Sequence, residues 1–263
     1  MDLALLLFVV LLRQEVAALK LLRINVPTYT LRGKNALLEC RYDLESDKLY
    51  SFSWYKDHEE FYRYVPRSEP TQHSYHVEGI KVDHRNSDHR RVTLQDVGLY
   101  TSGRYKCEVV AEAPNFNSVI AEANMEVVVL PEESPTITGE EKIYASGDVL
   151  ALNCTSGRSH PGAHLKWFIN GLQVQADSEL RHEQHGLIST TSSLRLELNP
   201  GHLSSEKINV RCEAVVRSSQ ERNDSSIDSR VTEVYVRGSS SLLRPSACLL
   251  VTLLLLQRLL VPR

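Results

Sequence analysis

The chain has 263 residues, a formal net charge of −3 and 24% charged side chains. A balance this close to neutral excludes the basic surface typical of nucleic-acid-binding proteins and the excess charge of a disordered acidic chain. The length suits two domains of about 100 residues each, with a processing segment at either end.

An uninterrupted apolar run, residues 3–12, opens the chain and is followed by Arg13 and by small residues that end at Ala18. The run is too short to span a bilayer, which takes about 20 residues, and it is typical of a signal peptide. The pattern departs from the usual one because Asp2, and no basic residue, precedes the run. We predict a signal peptide at residues 1–18; burial of the run inside a domain is the alternative.

Three rare residues recur twice along the chain in the same order. Each group has a cysteine, a tryptophan 13 or 14 residues later and a second cysteine; the groups are Cys40, Trp54, Cys107 and Cys154, Trp167, Cys212. This order is typical of an immunoglobulin-type β-sandwich, in which the cysteines join the two sheets and the tryptophan packs against the bridge. We predict an all-β protein with two tandem sandwiches, the disulfides Cys40–Cys107 and Cys154–Cys212, and an oxidising compartment.

Alternation of apolar and polar residues predicts the strands of the first domain, residues 22–130. They are strand B at 36–40, C at 50–56, C′ at 61–65, E at 91–94, F at 103–110 and G at 125–130. In strand C the alternation turns Tyr50, Phe52 and Trp54 to the core. The long separation of the two cysteines leaves room for a hairpin after strand C, which favours a variable-type domain.

The corner before strand F carries two informative residues. Tyr105 stands two residues before Cys107, where a tyrosine hydroxyl bonds back to the backbone at the sheet corner. Thr101 stands where many variable domains have an aspartate paired with an arginine. We therefore predict a tyrosine corner without that salt bridge.

The outward face of strands C, C′, F and G is the candidate binding surface. Alternation turns Tyr55, Lys106, Glu108 and Val110 outward, whereas in C′ either Tyr62 with Tyr64 or Phe61 with Arg63 faces outward. Exposed Tyr, Arg and Phe are common anchors of protein interfaces. The candidate partner-binding residues are Tyr55, Tyr62, Arg63, Tyr64, Lys106, Glu108 and, at the tip of the F–G loop, Phe116. The alternative for each aromatic is that it merely covers the sheet or the core.

The second domain, residues 131–237, shows the same strand alternation with a shorter separation of its cysteines, which indicates a constant-type or intermediate domain. Asn170-Gly171 predicts a tight hairpin turn, and Val210 occupies the position of the corner tyrosine. With fewer exposed aromatics, this domain is interpreted as a spacer. Asn153 and Asn223 begin Asn-x-Ser/Thr acceptor sequences and are candidate glycosylation sites.

The last segment, residues 238–263, has small residues, a short spacer and a short apolar tail that contains Cys248. This layout predicts a lipid-anchor signal with attachment at Gly238, Ser239 or Ser240, so that the protein is held on the outer face of the plasma membrane. Arg258 within the tail weakens that interpretation. A transmembrane segment and plain secretion are the alternatives.

Histidine pairs are the one hint of metal chemistry, and their spacing does not favour it. The pairs are His73 with His76, His84 with His89, and His182 with His185. On a strand, residues three apart point to opposite faces, so their imidazoles do not converge. No phosphate-binding glycine loop or nucleophile-elbow motif is present. We predict that the protein binds no metal, cofactor or small-molecule substrate and has no enzymatic activity.

Several strings of the sequence resemble the beaten path family of insect immunoglobulin-superfamily proteins. They are residues 37–45, 54–57, 60–66, 102–109 and 112–116 in the first domain and 144–156 in the second. The resemblance implies a cell-surface or secreted ligand that binds immunoglobulin receptors of the sidestep type and acts in axon guidance or synaptic partner matching. A homophilic adhesion protein and a secreted binding module for a small hydrophobic or carbohydrate ligand are the alternative functions.

Overall fold

The computed structural model describes residues 19–141, 143–203, 207–220 and 226–239. The signal-peptide prediction, Asn223, Ser240 and Cys248 therefore lie outside the described residues. The chain divides into two compact units, one built mainly on the residues up to Val129 and the other mainly on those from Leu130. They are called domain 1 and domain 2 below, and each is described by itself.

The described residues of domain 1 form ten strands. They are β1 Lys20–Asn25, β2 Tyr29–Leu31, β3 Ala36–Asp43, β4 Leu49–Lys56, β5 Glu59–Tyr64, β6 Gln72–Ser74, β7 Val82–Asp83, β8 Arg91–Leu94, β9 Gly103–Ala111 and β10 Ser118–Val128. One sheet has the order β1-β3-β8-β7 and the other the order β2-β10-β9-β4-β5-β6. Strands B, C, C′, E and F of the prediction are confirmed as β3, β4, β5, β8 and β9, and strand G, β10, begins seven residues earlier than predicted.

The core of domain 1 lies between these two sheets. Cys40 and Cys107 form the predicted disulfide, and Trp54 lies opposite Cys107 in the pairing of β4 with β9. The side chains of all three residues are fully buried. The prediction that Tyr50 joins them is wrong, because the register of β4 against β9 shifts between Leu49 and Ser51. Tyr50 is the extra residue of this bulge and is exposed.

The corner before β9 is held by hydrogen bonds from two side chains. The Tyr105 hydroxyl donates to the carbonyl oxygen of Thr101 at 2.6 Å, which confirms the tyrosine corner. The buried Thr101 hydroxyl donates to the Gly79 carbonyl at 2.7 Å and accepts from the Gly98 amide at 2.9 Å. Gly79 has a φ of +76°, and an added Cβ would lie 2.5 Å from the Tyr100 carbonyl carbon. Thr101 thus ties the corner to a glycine turn at the place where other variable domains use an ion pair.

Nine strands occur in the part of domain 2 that the structure describes. They are β11 Thr136–Thr138, β12 Ile143–Ala145, β13 Val149–Thr155, β14 His164–Ile169, β15 Leu172–Val174, β16 Ser178–Gln184, β17 Leu187–Glu197, β18 Lys207–Val216 and β19 Asp228–Ser239. One sheet has the order β11-β13-β17-β16 and the other the order β12-β19-β18-β14-β15. Cys154 and Cys212 form the second predicted disulfide, and Trp167 is buried opposite Cys212.

Two features of domain 2 differ in how well the sequence indicates them. Asn170 and Gly171 both have positive φ and connect β14 to β15, as the Asn-Gly dipeptide predicts. The Asn170 side chain also accepts from the Asn209 amide and donates to the His202 carbonyl. Strand β16 was not predicted, because every residue in it is exposed and no apolar alternation marks it.

Candidate functional site

The outer face of the β10-β9-β4-β5 sheet in domain 1 is the candidate site, and a bulge decides which side chains of β5 reach it. Trp54 lies opposite Tyr62, but Tyr55 lies opposite Glu60, so that Phe61 is the inserted residue. Phe61 and Tyr62 are consequently both fully buried, and the Tyr62 hydroxyl donates to the carbonyl oxygen of Asp88. The prediction that Tyr62 is a surface anchor is wrong.

The remaining residues of β5 divide between the two faces. Tyr64 lies opposite the buried Phe52, packs against the core of the domain and contacts the His89 ring, with a centroid distance of 5.5 Å. It therefore does not belong to the outer face, contrary to the prediction. Arg63 lies opposite Ser53 and is the residue that faces outward. Its guanidinium donates to both carboxylate oxygens of Glu60, at 2.7 and 2.8 Å, and this bond raises the pKa of Arg63.

Three of the predicted residues form one cluster at the centre of the face. The Tyr55 hydroxyl donates to the Glu108 carboxylate at 2.8 Å, and the Lys106 ammonium lies over the Tyr55 ring, 4.0 Å from its centroid. Burial and the hydrogen bond to Glu108 raise the pKa of Tyr55 to about 12. The cluster is thus ordered before any partner arrives, which lowers the entropy lost when such a surface binds.

Strand β10 adds residues that sequence reasoning missed. Ile120 lies opposite Glu108 and Glu122 lies opposite Lys106, so both share the outer face. Ile120 is 51% exposed, and Glu122 pairs with Arg104 of β9 at 3.6 Å. Part of the signal was present in the sequence, because the apolar residues at 119, 121 and 123 alternate with polar ones at 118, 122 and 124, but Ile120 breaks the pattern and the predicted strand began only at Met125.

The F–G loop presents the last predicted residue. Phe116 is 65% exposed and has a φ of +48°. The amides of Asn115 and Asn117, on either side of it, both donate to the Asp47 carboxylate. The backbone amide of Glu112 donates to the Lys48 carbonyl in the same region. These contacts hold the loop while the aromatic ring points to solvent.

The chemistry of this face suits contact with another protein. It combines exposed Ile120, the ordered Tyr55 ring and charges of both signs, which is the composition expected of a docking surface with a polar rim. Within the described ranges no cluster of three metal-ligating side chains occurs. A shallow cavity of about 360 Å³ lies elsewhere, against Leu37 and Arg91 of the other sheet.

Asn153, Gly238 and Ser239 are the residues predicted for modification that the structure describes, and they lie on domain 2. Asn153 is exposed on β13, where Ser193 donates to its side-chain oxygen. Gly238 and Ser239 end β19 and pair with Tyr144 and Ala145. Among the residues described, no helix is long and apolar enough to cross a membrane.

The two domains match two families of immunoglobulin domains. Residues 26–130 match the immunoglobulin V-set domain, and residues 131–223 match the CD80-like C2-set immunoglobulin domain. The V-set match agrees with the variable type predicted for domain 1, and the C2-set match refines the type of domain 2.

The curated relatives are distant. Human cell adhesion molecule 1 is 25% identical over 128 residues, which cover 49% of this chain and 27% of the relative. Cell adhesion molecule 2 of Rattus norvegicus is 25% identical over 175 residues, which cover 64% of this chain and 36% of the relative. The chain therefore spans between about a quarter and a third of the length of these two proteins.

Solved structures share the fold at low identity. Rst D1-D2 has a TM-score of 0.53 and 18% identity, covering 84% of this chain and 100% of that chain. Murine CEACAM1b has a TM-score of 0.55 and 16% identity, covering 82% of this chain and 100% of that chain. These likenesses show the fold alone. The chain consists, in its described part, of a V-set immunoglobulin domain followed by a CD80-like C2-set immunoglobulin domain.

Proposed function

We propose that the protein is an extracellular recognition protein whose domain 1 docks, through its outer β10-β9-β4-β5 face, on an immunoglobulin domain of a different protein. The observation that carries the proposal is the ordered cluster of Tyr55, Lys106 and Glu108 beside exposed Ile120. The distant relatives named cell adhesion molecules support the same broad role.

The apolar and the charged residues of this face have different roles in the proposed binding. Ile120 and the Tyr55 ring supply apolar contact area, which carries most of the affinity of such interfaces. Arg104, Glu122 and Arg63 supply rim charges, which select among partners by opposing those of the wrong sign. Affinity through a single face of this kind is modest, and many copies on apposed membranes compensate for it.

The finer proposal concerns the partner and the setting. The resemblance to the beaten path family supports a receptor of the sidestep type and a role in axon guidance or synaptic partner matching. Attachment to the membrane through a lipid at Gly238, Ser239 or Ser240 belongs to the same proposal. Release of the protein from intact cells by a phosphatidylinositol-specific phospholipase C is the expected result; retention on the cells contradicts a lipid anchor of this kind.

A binding screen tests the function. The secreted chain is measured against a panel of extracellular immunoglobulin proteins that includes sidestep-type receptors and the chain itself. One saturable heterophilic partner is expected, and Ile120→Glu should weaken its binding at least about tenfold, since it places a charge in the apolar centre. Arg41→Glu, a substitution on the other sheet of domain 1, is the matched control. Self-binding alone through this face would support homophilic adhesion, and an unchanged affinity for Ile120→Glu would contradict the proposed site.

A further inference from the structure

The outer face of the β19-β18-β14 sheet in domain 2 repeats the chemistry of the face in domain 1. Directly after each buried tryptophan stands an aromatic residue, Tyr55 or Phe168, and directly before each second cysteine stands a cation, Lys106 or Arg211. Both pairs lie opposite each other across their strands. In both, the cation lies 4.0 Å from the ring centroid.

The correspondence continues along the neighbouring strands. Glu108 and Glu213 each follow the cysteine, and each lies opposite an exposed aliphatic residue, Ile120 or Val231. Each cation in turn lies opposite a glutamate, Glu122 in domain 1 and Glu233 in domain 2.

At two positions the face of domain 2 carries a larger side chain than the face of domain 1, which increases the area available for contact with another protein. Lys166 lies opposite Glu213, where domain 1 has Ser53 opposite Glu108. Tyr235 lies opposite Asn209, where domain 1 has Asn124 opposite Arg104. Tyr235 and Val231 are 64% and 44% exposed, and they stand on one face of β19. Large exposed apolar side chains grouped beside charges of both signs are typical of interaction surfaces.

The charges on this face are ordered so that two copies of the face complement each other. Arg211 and Glu213 alternate along β18 on the same side, with Phe168 opposite the first and Lys166 opposite the second. When a two-fold axis lies across β18 between Arg211 and Glu213, two such faces pack against each other with their β18 strands antiparallel. Each Arg211 then meets the other copy's glutamate at position 213, and each Phe168 ring meets the other copy's lysine at position 166. Isologous contacts of this kind close a dimer.

We propose that domain 2 mediates self-association of the chain through this face, with a second copy of the same chain as its occupant. Asn153, the acceptor asparagine among the described residues, lies on β13 in the opposite sheet, so a sugar there leaves the face uncovered. The dimer presents two domain 1 faces at once, which raises the effective affinity for a multivalent partner. Self-association itself does not depend on what domain 1 binds.

Charge reversal tests this pairing. Sedimentation velocity of the secreted chain over a concentration series should show a monomer–dimer equilibrium. Arg211→Glu and Glu213→Arg should each weaken it at least about tenfold, because like charges then meet across the axis. An equimolar mixture of these two variants should restore a dimer, as should the double variant, since opposite charges face each other again in both cases.

Matched controls separate loss of the contact from loss of the fold. Arg195→Glu and Glu197→Arg reverse an exposed pair with the same spacing on β17 of the opposite sheet and should leave the equilibrium unchanged. Val231→Asn with Glu233→Thr adds a glycan to the face and should abolish the dimer, with the thermal unfolding of domain 2 showing that it still folds. A chain that stays monomeric throughout, or a dimer that survives both reversals, overturns the proposal. A mixture that stays monomeric while the unmodified chain dimerises overturns the face-to-face arrangement.

Discussion

The two domains place the same outward pairs on the same strand positions but differ in what surrounds them. In domain 1 the sheet continues beyond β4 into β5 and β6, whereas in domain 2 it ends after β14 with the three-residue strand β15. The common pairs follow from the common frame, because the disulfide and the tryptophan fix which residues of the adjoining strands point outward. The additional strands determine how wide the face is and which side chains border it.

The two domains also differ at the corner before the strand that carries the second cysteine. Domain 1 uses Tyr105 and Thr101, whereas domain 2 has Val210 at the tyrosine position. Both domains also bond the side chain three residues after the tryptophan to the amide three residues before the second cysteine, Asp57 with Arg104 and Asn170 with Asn209. The Tyr105 hydroxyl bond is therefore specific to domain 1, whereas the bond to the amide of the neighbouring strand is common to both domains.

The largest expected effect comes from β5 of domain 1. Tyr62→Ala removes a fully buried ring and should destabilise domain 1 by about 3–5 kcal/mol. Leu172→Ala, a substitution on the corresponding edge strand of domain 2, removes a side chain that is 75% exposed and should change stability by less than about 0.5 kcal/mol. Calorimetry of each variant measures both values. Equal, small losses would mean that β5 is not part of the core.

A smaller effect is expected at the corner. Tyr105→Phe leaves the Thr101 carbonyl oxygen without its hydroxyl donor and should cost about 1–3 kcal/mol. Tyr100→Phe makes the same chemical change at an exposed residue five positions earlier and should be nearly neutral. Urea unfolding compares the two. Similar midpoints for both variants would contradict a stabilising role of the tyrosine corner.

The aromatic pairs differ in one titratable group, since Tyr55 has a phenol and Phe168 does not. The folded-state pKa of Tyr55 is raised from 10.0 to about 12 by burial and by Glu108. The protonated phenol therefore stabilises domain 1 fully below pH 10, and this contribution is lost as the pH rises from 10 to about 12. The difference in phenolate absorbance between the chain and Tyr55→Phe should show a midpoint near pH 12. A midpoint near 10 would contradict the buried, hydrogen-bonded arrangement.

The sequence predicts the frame well because its signals are local and redundant. Each cysteine–tryptophan–cysteine group identifies a sandwich, and strict alternation in β9 assigns the inward Tyr105 and the outward Lys106 and Glu108 correctly. Tyr50 and Tyr62 were misplaced for one shared reason. Alternation assumes that no residue is inserted, but each of these positions adjoins a bulge, which depends on the partner strand rather than on the strand itself.

Two further differences have other physical causes. Strand β16 escaped prediction because an edge strand with both faces solvated has no apolar period. The second face escaped because domain 2 has fewer aromatics, and a residue count does not reveal which charges lie opposite each other. Register, which only the folded structure supplies, brings Arg211, Phe168 and Glu233 together.

The central claim is that recognition occurs on one face of domain 1. Two variants that each carry an added glycosylation site on one face of that domain test it most directly. Ile120→Asn with Glu122→Thr adds a sugar to the proposed face, and Leu37→Asn with Glu39→Thr adds one to the opposite sheet of the same domain. Both positions are exposed, so neither substitution disturbs the core. Binding to the partner found in the screen should be lost in the first variant and retained in the second. Retention in the first variant, or loss in both, would contradict the account.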